Sequence, residues 1–228
     1  MPPASGPSLN HDPLSRKLLE LYTPVVSDVL DQLGVMDNVM SHSVMPAFAG
    51  ARVAGPAFTA RTEFFPDYKQ GVDFTPLVEM MSSVRRHEAV VIATRGEMTS
   101  AVWGELMSYS AKNSGAVGAV TDGAVRDVPL ILKMKPRFPV FSAGFCPADS
   151  IGRCRVVETG KVIECGGLRV RPGDYVFGDA DGVVVVPKEK VEDAIELAQT
   201  KRRTESEFRA SIKRGMSLRD AVDKYKTM

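Results

Sequence analysis

The chain has 228 residues, and its 29 basic and 28 acidic side chains leave a formal net charge of +1 at pH 7. This balance excludes a global electrostatic attraction to nucleic acid or to a membrane surface. No apolar run reaches the roughly 20 residues of a transmembrane helix, and the first residues do not have the pattern of a secretory signal. We therefore expect a cytoplasmic protein without a nucleic-acid or membrane partner.

Cysteine and histidine are too few and too scattered for the common kinds of zinc or thiol chemistry. The three cysteines form no CxxC pair, and their odd number favours reduced thiols in the cytoplasm. The three histidines, His11, His42 and His87, belong to no Cys-His signature. A carboxylate-bound Mg²⁺ or Mn²⁺ is therefore favoured over a zinc site.

The first half of the chain predicts two helical regions and two strands. Its proline-, serine- and glycine-rich start predicts a flexible tail over residues 1–13, and the remainder predicts one domain over residues 14–228. Residues 14–33 have a helical pattern that is interrupted at Thr23, a suitable N-cap, and at Pro24, a suitable first helical residue. The elements that follow are a strand over 52–63, a helix over 71–86 and a buried strand over 89–93.

The second half begins with a helix-then-strand run and then becomes rich in short strands. We expect a helix from Ala101 to a C-cap at Gly115, followed by a strand over 116–121 that ends in a turn. The buried stripe of this helix is predicted from its spacing as Val102, Leu106, Tyr109 and Ala111. The later elements are a helix over 129–134, strands over 139–143, 155–157, 161–164, 168–170 and 183–186, and helices over 191–213 and 218–226.

Residues 103–127 could bring a helix N-terminus and an Arg-Asp pair together. The free N–H groups and the positive dipole end at residues 104–107 suit a carboxylate or a phosphate. Arg126 offers a planar fork to the same kind of anion, and Asp127 offers a hard oxygen ligand to a divalent cation. Together they could hold a 2-oxo acid, whereas the alternative is a surface ion pair beside an ordinary capped helix.

Several motifs follow one another in order along the chain. GELM at residues 104–107 precedes DGAVRD at 122–127. Flanking motifs are VSDVLDQLG at 26–34, FAGARVAGPAFTART at 48–62 and GDYVFGDADGVVVVPKE at 173–189. This set resembles the 4-hydroxy-4-methyl-2-oxoglutarate aldolase (RraA-like) family, which shares its fold with the regulators of RNase E activity. The resemblance implies an α/β protein with a swivelling β/β/α fold, as a single domain with a long C-terminal helix.

The same resemblance implies an activity and an assembly. The activity would be that of a divalent-metal-dependent (class II) pyruvate aldolase acting on 4-hydroxy-4-methyl-2-oxoglutarate, 4-carboxy-4-hydroxy-2-oxoadipate or a related 4-hydroxy-2-oxo acid. Oxaloacetate decarboxylation would be a side activity, because both reactions leave a pyruvate enolate. The protein would form a homotrimer or a hexamer, with its active sites between neighbouring subunits.

The resemblance also assigns roles to particular residues. Asp127 would be the direct ligand of Mg²⁺ or Mn²⁺, and Arg126 would bind the carbonyl or enolate oxygen. Glu105 would reach the metal through water, although it could merely stabilise the first turn of its helix. A glutamate of the neighbouring subunit's C-terminal helix would complete the site, with Glu205 as the candidate and Glu207 as the alternative. The backbone N–H groups that would hold the pyruvyl carboxylate are those of Gly104, Glu105, Leu106 and Met107.

Three other functions compete with the aldolase. A regulator of RNase E activity would act by protein contact, but that branch of the family tends to lose the acidic residue of the Arg-Asp pair and the long C-terminal helix. A Schiff-base aldolase requires a buried lysine, and no lysine lies inside an apolar strand of this sequence. A methyltransferase requires a glycine-rich cofactor loop, which the sequence does not contain.

Overall fold

The structure, a computed structural model, describes residues 9–225 of the chain. The predicted tail over residues 1–13 therefore lies mostly outside the described residues. The helices, in chain order, are α1 (Pro13–Leu19), α2 (Thr23–Gln32), α3 (Thr75–Ser83), α4 (Glu105–Asn113), α5 (Val128–Ile131), α6 (Val191–Lys213) and α7 (Leu218–Tyr225).

The strands are mostly short. In chain order they are β1 (Met45–Pro46), β2 (Val53–Phe64), β3 (Ala89–Ala93), β4 (Ala101–Trp103), β5 (Gly118–Thr121), β6 (Ala124–Val125), β7 (Val140–Ser142), β8 (Gly144–Phe145), β9 (Cys154–Thr159), β10 (Ile163–Cys165), β11 (Leu168–Val170), β12 (Tyr175–Asp179) and β13 (Gly182–Val186).

The main sheet has the strand order β1-β7-β5-β3-β2-β12-β13, and β9 also pairs with β2. The central strands β7, β5, β3 and β2 are parallel, whereas β12 pairs antiparallel with both β2 and β13. The two ends of the sheet approach each other, because Asn38 and Met40 form backbone hydrogen bonds with β13 shortly before the chain enters β1. The sheet is therefore nearly closed, and the protein has a mixed α/β fold.

The central strands are apolar because both faces of the sheet are covered. All five residues of β3 are buried, which is the continuous apolar pattern of a parallel strand. One face packs against the β10–β11 hairpin through Ile163 and Val170. The opposite face packs against α3 and α4 through Met80 and Ala111. A third cluster joins α1, α2 and α6 to the β12–β13 hairpin.

A separate three-stranded sheet, in the order β4-β6-β8, positions the motif residues. Its strands are parallel. β4 leads into α4 and β6 leads into α5, so the residues that follow both strands lie at the same end of this sheet. The carboxyl ends of parallel strands are the usual place for a ligand site in α/β proteins.

The region before α4 differs from the prediction. Ala101–Trp103 forms strand β4 rather than the first turn of a helix, and α4 begins at Glu105. A short apolar run has no diagnostic periodicity, so its pairing with β6 decides its conformation. The predicted apolar stripe is right at Val102 and Ala111, which are buried, and wrong at Leu106 and Tyr109, which are 77% and 41% exposed; Ser108 is buried instead.

Two smaller predictions also need correction. Strand β12, Tyr175–Asp179, was not predicted, because its glycine and aspartate weaken the strand pattern; its pairing between β2 and β13 makes it a central strand. Thr23 is the first residue of α2 rather than its N-cap, which is Tyr22. The backbone N–H and the hydroxyl of Thr23 both donate to Asp179, so a distant carboxylate stabilises the start of α2.

Other predictions are confirmed. Helix α6 covers Val191–Lys213 and strand β3 covers Ala89–Ala93, with the predicted bounds. Gly115 lies one residue beyond the C-cap of α4, which is Ser114 and not Gly115 as predicted, but its positive φ of 88° is that of a glycine that ends a helix. Gly34 follows the C-cap of α2 in the same way, with a φ of 79°. Within residues 9–225, no helix is both long and apolar enough to cross a membrane.

Candidate active site

The junction between β4 and α4 forms one wall of the candidate site. Trp103 is buried, stacks on Phe138 with ring centroids 6.2 Å apart, and donates from Nε1 to the Ser108 hydroxyl at 2.9 Å. The same hydroxyl donates to the carbonyl oxygen of Gly104 at 2.9 Å. These contacts hold Gly104 in place as the N-cap of α4.

Glycine is required at position 104 because neighbouring side chains lie close to its Cα atom, and not because its backbone has an unusual conformation. Its φ of −163° is extended backbone, which any residue can adopt. A Cβ atom at this position would lie 2.7 Å from Oδ2 of Asp127 and 3.3 Å from Cγ of Arg126. The missing side chain therefore lets the carboxylate of Asp127 approach the N-terminus of α4.

Arg126 and Asp127 follow directly on β6. The N–H of Arg126 donates to the carbonyl oxygen of Trp103 at 3.0 Å, which extends the pairing of β6 with β4. Asp127 has a left-handed φ of 60° at the N-cap of α5, but its side chain does not cap that helix. Instead, Oδ2 of Asp127 lies 3.4 Å from the N–H of Glu105. The helix N-terminus and the Arg-Asp pair, which are separate in the sequence, are therefore adjacent.

The guanidinium of Arg126 lies between two carboxylates. Its Nε is 3.5 Å from Oδ2 of Asp127, and its Nη2 is 3.4 Å from Oδ2 of Asp149. The side chains are 32%, 35% and 40% exposed for Arg126, Asp127 and Asp149. The group is thus open to solvent and to a small ligand, while its charges are held close together.

Sequence reasoning missed Asp149. This residue belongs to no recognised motif and follows β8 in an irregular segment. Because its relation to Arg126 depends on the path of the chain after β8, no local pattern could have identified it.

The first turn of α4 provides backbone donors beside these charges. The N–H of Ser108 donates the first intrahelical hydrogen bond, to the carbonyl oxygen of Gly104, so the N–H groups of Glu105, Leu106 and Met107 have no acceptor within the helix. Glu105 is half-buried, and the side chain of Leu106 points into solvent. These donors and the positive dipole end of the helix suit an anionic ligand.

The donor set around Asp127 fits a hard cation rather than zinc. Among the described residues, no three His, Cys, Asp or Glu side chains form a group that could enclose a metal. A site built on Asp127 would use a single direct carboxylate and complete its coordination with water. Mg²⁺ is commonly bound in this way, because it retains several waters, whereas a structural zinc site requires about four protein ligands.

Within one chain, the predicted acidic residue of the C-terminal helix, Glu205, has polar partners outside the Arg-Asp pair. Glu205 on α6 accepts a hydrogen bond from the hydroxyl of Tyr22 and lies 3.9 Å from Arg209. Its side chain is 19% exposed, whereas Glu207 is exposed. Helix α6 packs against α1, α2 and α7. Within the described part of one chain, the polar partners of Glu205 are thus Tyr22 and Arg209, and not the Arg-Asp pair.

Comparisons with known proteins are consistent with this fold and motif set. Protein DlpA of Legionella pneumophila is 28% identical over 212 residues, which is 93% of this chain and only 34% of DlpA. A protein of Halalkalibacterium halodurans, provisionally named 4-hydroxy-4-methyl-2-oxoglutarate aldolase, is 30% identical over 206 residues, covering 89% of this chain and 90% of that relative.

A solved structure has the same fold. Streptomyces coelicolor RraAS2, described as an unusual member of the RNase ES inhibitor RraA protein family, matches with a TM-score of 0.77 and 25% identity over 88% of this chain and 99% of its own. The sequence profile of the family described as RraA-like (Aldolase/RraA) matches residues 23–185, more than half of the chain. The chain therefore belongs to the RraA-like family.

Proposed function

We propose that the protein is a divalent-metal-dependent aldolase that cleaves 4-hydroxy-2-oxo acids to pyruvate and a second carbonyl compound. The observation that carries this proposal is the contact between Asp127 and the N-terminus of α4, with Arg126 beside it. In this arrangement the N–H groups at the start of α4, the guanidinium of Arg126 and the carboxylate of Asp127 are close enough together for one small molecule to contact all three. The provisional name of the Halalkalibacterium relative supports the same activity.

The roles of the residues follow from their chemistry. The first-turn N–H groups of α4 would bind the carboxylate of the 2-oxo acid. In the aldol cleavage the C4 hydroxyl loses its proton to water and becomes a carbonyl, while the C3–C4 bond breaks. Its electron pair moves toward C3, negative charge collects on the C2 oxygen, and protonation of C3 then gives pyruvate. Arg126 would donate to that oxygen, where the charge develops. 4-Hydroxy-4-methyl-2-oxoglutarate, 4-carboxy-4-hydroxy-2-oxoadipate and, by decarboxylation, oxaloacetate are the proposed substrates, because each would leave the same pyruvate enolate.

Asp127 is the proposed direct ligand of Mg²⁺ or Mn²⁺, and Glu105 is the proposed ligand through water. When bound, such a cation supplies Lewis acidity to the substrate carbonyl and lowers the pKa of the water that it holds. The geometry of Asp127 agrees with this role, because its carboxylate faces the helix N-terminus and does not cap α5.

The site is proposed to be completed by a second copy of the chain in a homotrimer or a hexamer. Large apolar side chains are exposed on the elements that carry the site: Leu106 (77%), Phe145 (63%), Leu130 (43%) and Tyr109 (41%). A neighbouring subunit that covered them would remove this apolar surface from water. Glu205, or Glu207, would then reach the site from α6 of that subunit.

A regulator of RNase activity is the second candidate, favoured by the similarity to RraAS2. Such a protein would act by contact with its partner and would not require the Arg-Asp pair. The presence of both Asp127 and the 23-residue helix α6 favours the aldolase.

The test is a pyruvate-release screen over several 4-hydroxy-2-oxo acids and oxaloacetate, with EDTA and after addition of Mg²⁺ or Mn²⁺. We expect EDTA to abolish turnover and the cation to restore it. Arg126→Lys should keep the charge and lose the planar fork, so turnover should fall on the order of 100- to 1,000-fold, or about 3–4 kcal/mol. The same variant should slow deuterium exchange into the methyl group of pyruvate by a similar factor and leave a measurable residual rate, followed by NMR.

Three results would contradict this proposal. The first is full activity in EDTA, and the second is inactivation by borohydride with pyruvate, which indicates a Schiff base. The third is loss of cleavage in Arg126→Lys with wild-type exchange of pyruvate protons, because the enolate would then not depend on Arg126.

A further inference from the structure

The guanidinium of Arg126 is held from two directions. Asp127 lies beside Nε at 3.5 Å, and Asp149 lies beside Nη2 at 3.4 Å. Two charged contacts on different nitrogens restrict rotation of a planar group more than either contact alone. We infer that Asp149 is a positioning residue, which orients the fork of Arg126 toward the reacting oxygen. This inference rests on the proposed function.

The backbone of Asp149 is fixed by the small parallel sheet. The N–H of Cys146 bonds to the carbonyl oxygen of Val125 at 3.1 Å, next to Arg126. Two residues later, Ala148 accepts a hydrogen bond from the N–H of Ala101 at 2.9 Å. Asp149 itself forms an isolated parallel bridge with Ala101. Residues 146–149 thus cross from β6 to β4 with both ends attached, and they carry Asp149 to Arg126.

The two oxygens of the Asp149 carboxylate have different partners. Oδ1 lies 3.4 Å from the N–H of Ile151 and 3.5 Å from the hydroxyl of Ser150. Oδ2 faces Nη2 of Arg126. One oxygen is therefore tied to the protein's own loop, and the other is presented to the guanidinium in a defined direction.

Stability does not explain this ion pair. The two side chains are 32% and 40% exposed, and exposed ion pairs contribute little to folding. A second carboxylate beside Arg126 is also unfavourable for binding an anion, because its charge repels the ligand. The benefit of the Asp149 carboxylate must therefore lie in the orientation of the Arg126 guanidinium. This reasoning predicts that removal of the charge lowers kcat without raising KM.

Asp149→Asn is the appropriate variant, because the amide keeps the oxygen that faces Ile151, while the charged acceptor opposite Arg126 becomes an uncharged NH2 donor. Asp181→Asn is the matched control, since Asp181 is an exposed carboxylate in the turn between β12 and β13. Both are made in the full chain, in the wild-type and the Arg126→Lys backgrounds. The reaction measured is deuterium exchange into pyruvate.

We expect Asp149→Asn to lower kcat by about 10- to 100-fold, the scale of a misplaced catalytic group, with KM unchanged or lower. In the Arg126→Lys background the same change should alter kcat by less than about 2-fold, because coupled residues are not additive. The ¹H–¹⁵N signal of the Arg126 Nε–H should shift in Asp149→Asn and not in Asp181→Asn.

The inference is overturned if Asp149→Asn retains the wild-type kcat, or if it lowers kcat equally in both backgrounds. A wild-type protein that exchanges no pyruvate protons would instead refute the proposed function. In that case the NMR signal still decides the inference: a shift restricted to Asp149→Asn supports the orienting contact, and an unchanged signal overturns it.

Discussion

At the scale of single residues, the close approach at Gly104 links backbone geometry to chemistry. Most glycines in turns are needed for a positive φ, but Gly104 has an extended backbone. Its function is to leave room for Oδ2 of Asp127, which would lie 2.7 Å from an added Cβ. An added Cβ at position 104 would have to displace this Oδ2 atom, which is at the end of a flexible side chain. A larger residue there would therefore move the carboxylate of Asp127 with little effect on the fold.

Gly104→Ala should therefore separate activity from stability. We expect the free energy of unfolding in urea to change by less than about 1 kcal/mol. Turnover should fall on the order of 100-fold, because the carboxylate is displaced by about 1 Å. Both quantities are measured on the same preparation, the first by denaturant titration and the second by pyruvate release.

Gly144→Ala is the control for this experiment. A Cβ at Gly144 would lie 2.6 Å from Cε of Met98, which is again the end of a flexible side chain, and no site residue is involved. It should retain both stability and turnover. Equal activity of the two variants would show that Asp127 does not need its observed position.

At the scale of elements, the two halves of α6 have different environments. Val191, Ala194, Ile195 and Ala198 are buried in the first half, whereas Ser211 is the buried residue of the second. The second half carries Glu205, which lies near Arg209 and accepts a hydrogen bond from the hydroxyl of Tyr22, the N-cap residue of α2. A long charged helix that leaves its own core is suited to contact a neighbouring subunit.

We expect Glu205→Gln to lose turnover while it keeps its oligomeric state, and Glu207→Gln to behave as the control. If Glu205 acts across an interface, then an inactive Glu205→Gln protein and an inactive Arg126→Lys protein should complement each other. In equal mixtures of co-expressed chains, about one quarter of the sites would contain both wild-type residues, given a symmetric interface. Pyruvate release by the mixture measures this recovery.

Absence of any recovery in proven mixed oligomers would contradict a shared site. A protein that sediments as a monomer with full activity would do so as well. If Glu207→Gln proved inactive and Glu205→Gln active, the cross-subunit role would belong to Glu207.

At the scale of the whole molecule, burial of thiols makes stability depend on alkaline pH. Burial raises the pKa of Cys154 to about 11, and burial raises the pKa of Cys165 well above its ordinary value. In the unfolded chain a thiol ionises near pH 8.5. Since the folded state keeps the proton to higher pH, this stability is complete below about pH 8.5 and is lost progressively as the pH rises toward the folded pKa.

Each such group should reduce the free energy of unfolding by up to about 1.4 kcal/mol per pH unit in that window. Urea titrations at pH 7, 9 and 10 measure this slope. Cys154→Ala should have a shallower slope than the wild type, whatever its stability at pH 7. An unchanged slope in Cys154→Ala would show that this thiol ionises normally in the folded protein.

The sequence by itself determined the elements whose signals are local. Strand β3 is a run of five apolar residues between polar ones, and α6 has a long helical pattern without a breaker, so both were predicted with the observed bounds. The motif residues 104–107 and 126–127 were also evident from the sequence. In each case the residues that carry the signal are neighbours in the chain, and local propensity agrees with the final packing.

Tertiary structure alone decided the conformation of residues 101–103 and the composition of the site. Ala101–Trp103 became a strand through its pairing with β6, more than twenty residues later in the chain. The contact of Asp127 with the start of α4 depends on that same pairing. Asp149 lies beside Arg126 because residues 146–149 cross from β6 to β4. Such contacts join distant parts of the chain, so neither periodicity nor propensity within a short window contains them.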